Sequence, residues 1–116
     1  MDTNILIHYF EGEIAARRIV ENNSITISVI TEMELLGYPK LSNSERDIIL
    51  KFLESLNICG LSQEIKNKAI EIRYSKKLKL PDSNILATSV VKGLPLITAD
   101  QQLAALKGFE IINFSE

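Results

Sequence analysis

Leu80-Pro81-Asp82-Ser83-Asn84-Ile85-Leu86-Ala87-Thr88, continuing to Gly93-Leu94-Pro95-Leu96-Ile97-Thr98-Ala99-Asp100, is the stretch on which the fold turns. It reads as a loop ending at Pro81, a helix opening on Asp82, a Gly-Pro break, a short apolar strand at Leu96-Ile97, and an acid directly after that strand. Open parallel sheets gather functional groups in the loops beyond the carboxyl ends of their strands. Asp100 falls at such a position, and Asp82, at a helix mouth, can point into the same crevice. Two further acids, Asp2 and Glu34, occupy comparable places in the chain. Whether the four converge decides what the molecule can do chemically.

Upstream of this stretch, Asp2-Thr3-Asn4 precedes the apolar run Ile5 to Phe10, a helix start signal. A second helix is expected over 13–21, then a β-branched strand at Ile25-Thr26-Ile27-Ser28. The next helix runs over 29–36 and stops at Gly37, with Pro39 forbidding continuation. Ser42 to Glu45 forms a turn and cap for a helix over 44–56 that buries Ile48, Ile49, Phe52, Leu53 and Leu56. Asn57-Ile58-Cys59 is a third short strand, and Ser62 opens a long helix to about residue 77. After the helix over 82–91 and the strand at Leu96-Ile97, a short helix over 101–107 and a last strand over 109–114 are expected. Short β-branched strands separated by helices argue for a parallel sheet covered on both faces.

A chain of 116 residues offers one core, so residues 1–116 are expected to form one domain. Its apolar fraction of 46% against 24% charged residues is a globular balance with no disordered tail. The apolar runs fall far short of the roughly 20 residues that a membrane span needs, and no signal peptide precedes Asp2, so a cytoplasmic protein is expected. Cys59 is the only cysteine and reads as a small core residue. His8 is the only histidine, which excludes a ribonuclease built on paired histidines. A net charge of −2 is not the footprint of a protein that grips nucleic acid by phosphate neutralisation alone. It suits a nuclease whose acids are offset by metal cations and whose basic groups are local. Lys76, Lys77 and Lys79, just ahead of Asp82, are candidates for RNA-phosphate contacts.

Each acid also has a plain structural explanation. Asp2, Asp82 and Asp100 can cap the helices that follow them, and Glu34 follows Thr31 at capping-box spacing. Brought together without counter-charge, four carboxylates would repel and raise one another's pKa. Mg²⁺ and Mn²⁺ remove that cost, because they prefer carboxylate and water oxygens and bind phosphate directly. A pair of such ions supports hydrolysis of a phosphodiester.

In combination, Asp2-Thr3-Asn4 before apolar residues, Ile27 to Gly37 with Thr31 and Glu34, Leu80-Pro81-Asp82, and Thr98-Ala99-Asp100 follow the order and spacing of PIN domains. The chain resembles the VapC-type toxins of bacterial toxin–antitoxin pairs over essentially its whole length. The resemblance implies a Rossmann-like three-layer α/β/α sandwich with a central parallel sheet, and a metal-dependent endoribonuclease leaving a 5′-phosphate and a 3′-hydroxyl. It implies that Asp2, Glu34, Asp82 and Asp100 are the catalytic, metal-binding acids for one or two Mg²⁺ or Mn²⁺ ions. Thr3, Asn4 and Thr98 would support the site. A cognate antitoxin in a groove beside the cleft and a homodimer are also implied.

Two departures shape the expectations. The family pattern has an apolar strand before the first Asp, so the first strand is expected to be truncated in residues 1–116. Gln101-Gln102-Leu103 offers amides where a further acid often stands, so an extra ligand there is expected to be weaker. The competing reading is a catalytically inactive PIN-like module that binds protein or RNA. A phosphoacceptor domain is disfavoured, because no acid pair follows a first strand and no late Lys stands at a strand end.

Overall fold

The computed structural model describes residues 1–114. The elements in chain order are α1 (Thr3–Phe10), α2 (Ile14–Glu21), β1 (Thr26–Ser28), α3 (Val29–Leu36), α4 (Asn43–Leu53), β2 (Asn57–Cys59), α5 (Gln63–Lys76), α6 (Leu80–Lys92), β3 (Leu96–Thr98), α7 (Gln101–Ala104) and β4 (Ile111–Asn113). The helix starts are chemically marked. Ser28 Oγ accepts the Thr31 N–H at the head of α3, and Ser62 Oγ accepts the Ile65 N–H at the head of α5. At the head of α4, Ser42 and Glu45 form a reciprocal capping box, which satisfies two donors that the first turn would leave orphaned. Helix α6 opens two residues earlier than the sequence reading expects, at Leu80. Pro81 is tolerated there because a first-turn N–H has no intrahelical partner to lose. Its end is set by Gly93, whose φ of 66° is left-handed.

The strands are all parallel, as the alternation of helix and strand predicts. Among the described residues the sheet comes in two halves, however. β1 pairs with β2 in the register Thr26↔Asn57, and β3 pairs with β4 in the register Leu96↔Ile111. The chain between the halves is Met1-Asp2. The Met1 ammonium donates to the Thr26 carbonyl (3.1 Å) and the Asp2 N–H to the Ile97 carbonyl (2.9 Å). Asp2 is itself extended, with φ −73° and ψ 149°. Behind this bridge lies a cavity of about 370 Å³ between the inner edges of β1 and β3, lined by Ile25, Ile27, Ile85 and Ile97 among others. Burial there pushes the Met1 amino group below its ordinary value, although the charges of Asp2 and Cys59 oppose the shift.

Each half-sheet has its own apolar cluster. Leu6, Val20, Ile25, Ile27, Leu35, Ile49 and Leu53 gather on the β1 side. Ile65, Ala69, Ile72, Ile85, Leu86, Leu96 and Leu103 gather on the β3 side. Helix α6 is the element between them: residues 83–88 are all buried. A helix covered all round its middle holds its N-terminal turn in place, and that turn carries Asp82. One expected core residue lies elsewhere. Ile48 is 62% exposed, because the buried stripe of α4 runs through Ile49 and Leu53.

Candidate functional site

Asp2 is 5% exposed and sits at the N-cap position of α1, yet its side chain makes no cap bond. It is spent instead on a residue from the far end of the chain: Thr98 Oγ1 donates to Asp2 Oδ2 at 2.6 Å. The Thr98 oxygen in turn accepts the Asp100 N–H at 3.0 Å. A single fully buried hydroxyl therefore joins the first and last acids of the constellation. Parallel strands make this possible, since β3 delivers Thr98 at its carboxyl end, directly before the loop that holds Asp100.

Glu34 is exposed on α3. The capping box that offers the structural alternative for Glu34 does not form, because Ser28 takes the cap and places Thr31 in the first turn. Glu34 Oε1 accepts instead from Thr3 Oγ1 at 2.6 Å. Thr3 Oγ1 also lies 3.1 Å from Thr31 Oγ1. Asp100 does cap α7: its Oδ1 accepts from the Gln102 and Leu103 N–H groups, at 2.8 and 3.2 Å. The structural explanation thus holds for one oxygen of Asp100, and its second oxygen stands outside those bonds.

Asp82 lies in the first turn of α6, whose N-cap position is Lys79, and makes no cap bond. Its carboxyl is pushed above the ordinary carboxylate value, first by burial and then by the charges of Asp2 and Asp100, with Glu34 adding to the rise. Lys79 pulls the other way. Asp2, Asp100 and Glu34, from three other segments of the chain, therefore act on Asp82 through space. Of the three lysines ahead of Asp82, Lys79 is the one whose charge reaches it. The Lys76 ammonium is directed over the Phe109 ring, 5.9 Å from its centroid, and Lys77 occupies the left-handed position that ends α5. Asn4 is exposed on α1.

The raised Asp82 carboxyl has a consequence for stability. A carboxyl that is harder to ionise when folded favours the fold below its unfolded pKa, and that advantage is lost as pH rises through the folded value. Without divalent cations, Asp82→Asn is therefore expected to raise Tm at neutral pH and to change it little near pH ~3. Thermal melts in chelator at the two pH values check this, and an equal shift at both would show that the field of the other acids is not the cause.

The donor set is entirely oxygen, from carboxylates and threonine hydroxyls, which suits Mg²⁺ or Mn²⁺ and not a soft metal. Among the described residues, no three His, Cys, Asp or Glu side chains are arranged to grip one ion directly. Mg²⁺ does not require such a grip, since it dehydrates reluctantly and is commonly held by one or two carboxylates through a shell of waters. Beside Glu34, an apolar groove of about 290 Å³ runs between α1, α3 and α4, lined by Ile7, Phe10, Leu35, Tyr38 and Ile48. Among the described residues, no helix is long and apolar enough to cross a membrane.

Residues 1–108 match the family model of the PIN domain. The structure is similar to that of a toxin–antitoxin complex from Klebsiella pneumoniae, with a TM-score of 0.83 and 35% identity, covering 97% of this chain and 93% of that one. It is also similar to VapBC2 from Rickettsia felis bound to a DNA fragment from their promoter (TM-score 0.82, 19% identity, 97% and 96% covered). DNA-bound VapBC from Salmonella typhimurium matches equally well (TM-score 0.82, 21% identity, 97% and 94% covered). At the identities of these last two, the likeness is one of fold. A comparison with curated proteins gives no match.

Proposed function

The chain belongs to the PIN domain family, and from that membership we propose that it is a Mg²⁺- or Mn²⁺-dependent endoribonuclease, the toxin of a type II toxin–antitoxin pair. The observation that carries this reading is the field around Asp82, a half-buried carboxyl held up in part by Asp2, Asp100 and Glu34. Such repulsion at Asp82 is what a divalent cation relieves. In this reading Asp2, Glu34, Asp82 and Asp100 are the catalytic acids and hold one or two ions. When bound, such a cation supplies Lewis-acid charge at the phosphoryl group and makes water a better nucleophile at neutral pH.

The remaining work falls to the chain. Thr98 fixes one oxygen of Asp2, so the other is presented in a set direction. Thr3 does the same for Glu34. Asp100 is anchored through Oδ1 to the first turn of α7 and offers Oδ2. Lys79, at the head of α6, balances part of the acidic field and can meet an RNA phosphate; of the other two candidate phosphate contacts, Lys76 lies over the Phe109 ring and Lys77 ends α5. Exposed Asn4 borders the site on α1.

Isothermal titration with Mn²⁺, comparing the parent chain with Asp82→Asn/Asp100→Asn, tests the reading. Binding and RNA cleavage are both expected to be lost in the double variant. Equal binding by both proteins would refute the shared site. The second reading, an inactive PIN-like module, draws on the absence among the described residues of a trio that grips an ion directly. It predicts no cleavage by the parent chain and no change on removing the acids.

The Klebsiella pneumoniae neighbour is a toxin–antitoxin complex, which supports a cognate antitoxin here. The apolar groove lined in part by Glu34 is the surface on which an antitoxin segment would lie, adjoining one of the four acids. A cytoplasmic location and a homodimer belong to the same reading. Ile70 and Tyr74, exposed one turn apart on α5, are side chains that self-association would cover.

A further inference from the structure

We infer that Thr31 is a positioning residue for the Glu34 carboxylate, acting through the hydroxyl of Thr3. The inference rests on the functional reading above and deepens it. Thr3 Oγ1 lies 2.6 Å from Glu34 Oε1 and 3.1 Å from Thr31 Oγ1. A hydroxyl has one proton to give, and a carboxylate oxygen can only accept. The Thr3 hydroxyl is placed to donate to both neighbours; with one proton to share, Thr3 in this inference gives it to the carboxylate at the shorter distance, and the Thr31 hydroxyl turns to donate to Thr3. The hydroxyls form a relay of one direction, from Thr31 to Thr3 to Glu34.

What Thr31 adds is orientation. Glu34 is exposed on the surface of α3, and a glutamate side chain has several rotamers to lose. A hydroxyl free to rotate restrains it poorly. Thr3 is not free, because its oxygen already accepts from a donor that cannot move. Thr31 is fully buried, its backbone N–H is tied to Ser28 Oγ, and it lies in the first turn of α3. Its position three residues before Glu34 puts both on one helix face, with Thr3 from α1 between them. Second contacts of this kind set the direction of ligand oxygens, and removing one typically costs about 10- to 100-fold in metal affinity or activity.

The test uses Thr31→Val, which keeps the shape and deletes the hydroxyl, alongside Thr31→Ser, Thr3→Val, the double valine variant and Glu34→Gln. Mn²⁺ affinity by titration, kcat and KM on RNA, and Tm are measured for each. Thr31→Val is expected to weaken Mn²⁺ binding and lower kcat by roughly 10-fold with KM unchanged, and Thr31→Ser to restore both. The double variant is expected to be no worse than Thr3→Val, since both act along one path. A purely structural Thr31 would lower Tm, leave the affinity of the folded protein unchanged, and multiply with Thr3→Val. If Thr31→Val fails to fold, Thr31→Ala against Thr31→Ser carries the same comparison. Full affinity in Thr31→Val beside a loss in Glu34→Gln overturns the inference alone. Full affinity and cleavage in Glu34→Gln overturn the functional reading and the inference with it.

Discussion

Asp2→Asn is expected to cut RNA cleavage by about three orders of magnitude while leaving the fold in place. Lewis-acid stabilisation at a phosphoryl group is worth several kcal/mol, and each ~1.4 kcal/mol is a factor of ten in rate. Asp2 is the most buried of the four acids and the one whose orientation is fixed from the opposite end of the chain. The amide oxygen of asparagine can accept from Thr98 Oγ1 in place of Oδ2, so the bond between α1 and β3 survives and only the charge is lost. Single-turnover cleavage at saturating Mn²⁺, with Tm measured in parallel, checks the expectation. Near-normal cleavage by a folded Asp2→Asn protein would remove Asp2 from the site, and a collapse of Tm would assign it a structural role.

The second large effect concerns the gap between the half-sheets. Extending the chain ahead of Met1 by four or five alternating β-branched residues is expected to raise Tm by about 5 °C or more. A gain of ~1 kcal/mol moves Tm by roughly 3–6 °C in a domain of this size. Two terms favour the extension. It converts a buried ammonium, already pushed below its ordinary value, into a neutral amide that can keep the bond to the Thr26 carbonyl. It also places extended backbone between the facing edges of β1 and β3, where Met1 and Asp2 already bond to each half and an isoleucine-lined cavity follows. Ordering the added residues costs about 1–2 kcal/mol each in backbone entropy, which apolar burial and new ladder bonds must exceed. Hydrogen exchange gives the specific readout: slower exchange is expected in both β1 and β3. An unchanged Tm with no new protection would mean that the cavity does not accept a strand.

Two acids show how far local spacing carries and where it stops. Thr31 and Glu34 stand three residues apart, which fits both a capping box and a shared helix face. Ser28 decided between them by taking the cap, and the sequence contains both candidates without ranking them. The spacing around Asp100 fits both a cap and a site residue, and the side chain spends one oxygen on α7 while keeping the other outside that bond. Ile48 lies outside the core for a similar reason. Its neighbour Ile49 is equally apolar, and the angle at which α4 meets the core selects one of the two.

The sequence by itself determined the alternation of helix and strand, most of the helix limits, though α4 and α7 end three residues earlier than expected, at Leu53 and Ala104, and the places of Asp2, Asp82 and Asp100 at helix mouths. Those features depend on interactions within a few residues: caps, breakers and side-chain periodicity. Only the tertiary structure decided that Thr98 holds Asp2 across 96 positions, that Thr3 reaches Glu34, and that the strands form two halves with Met1 and Asp2 between them. Local spacing fixes which face of an element a side chain occupies. Which faces meet is set by packing around α6, whose buried middle lies between the two apolar clusters.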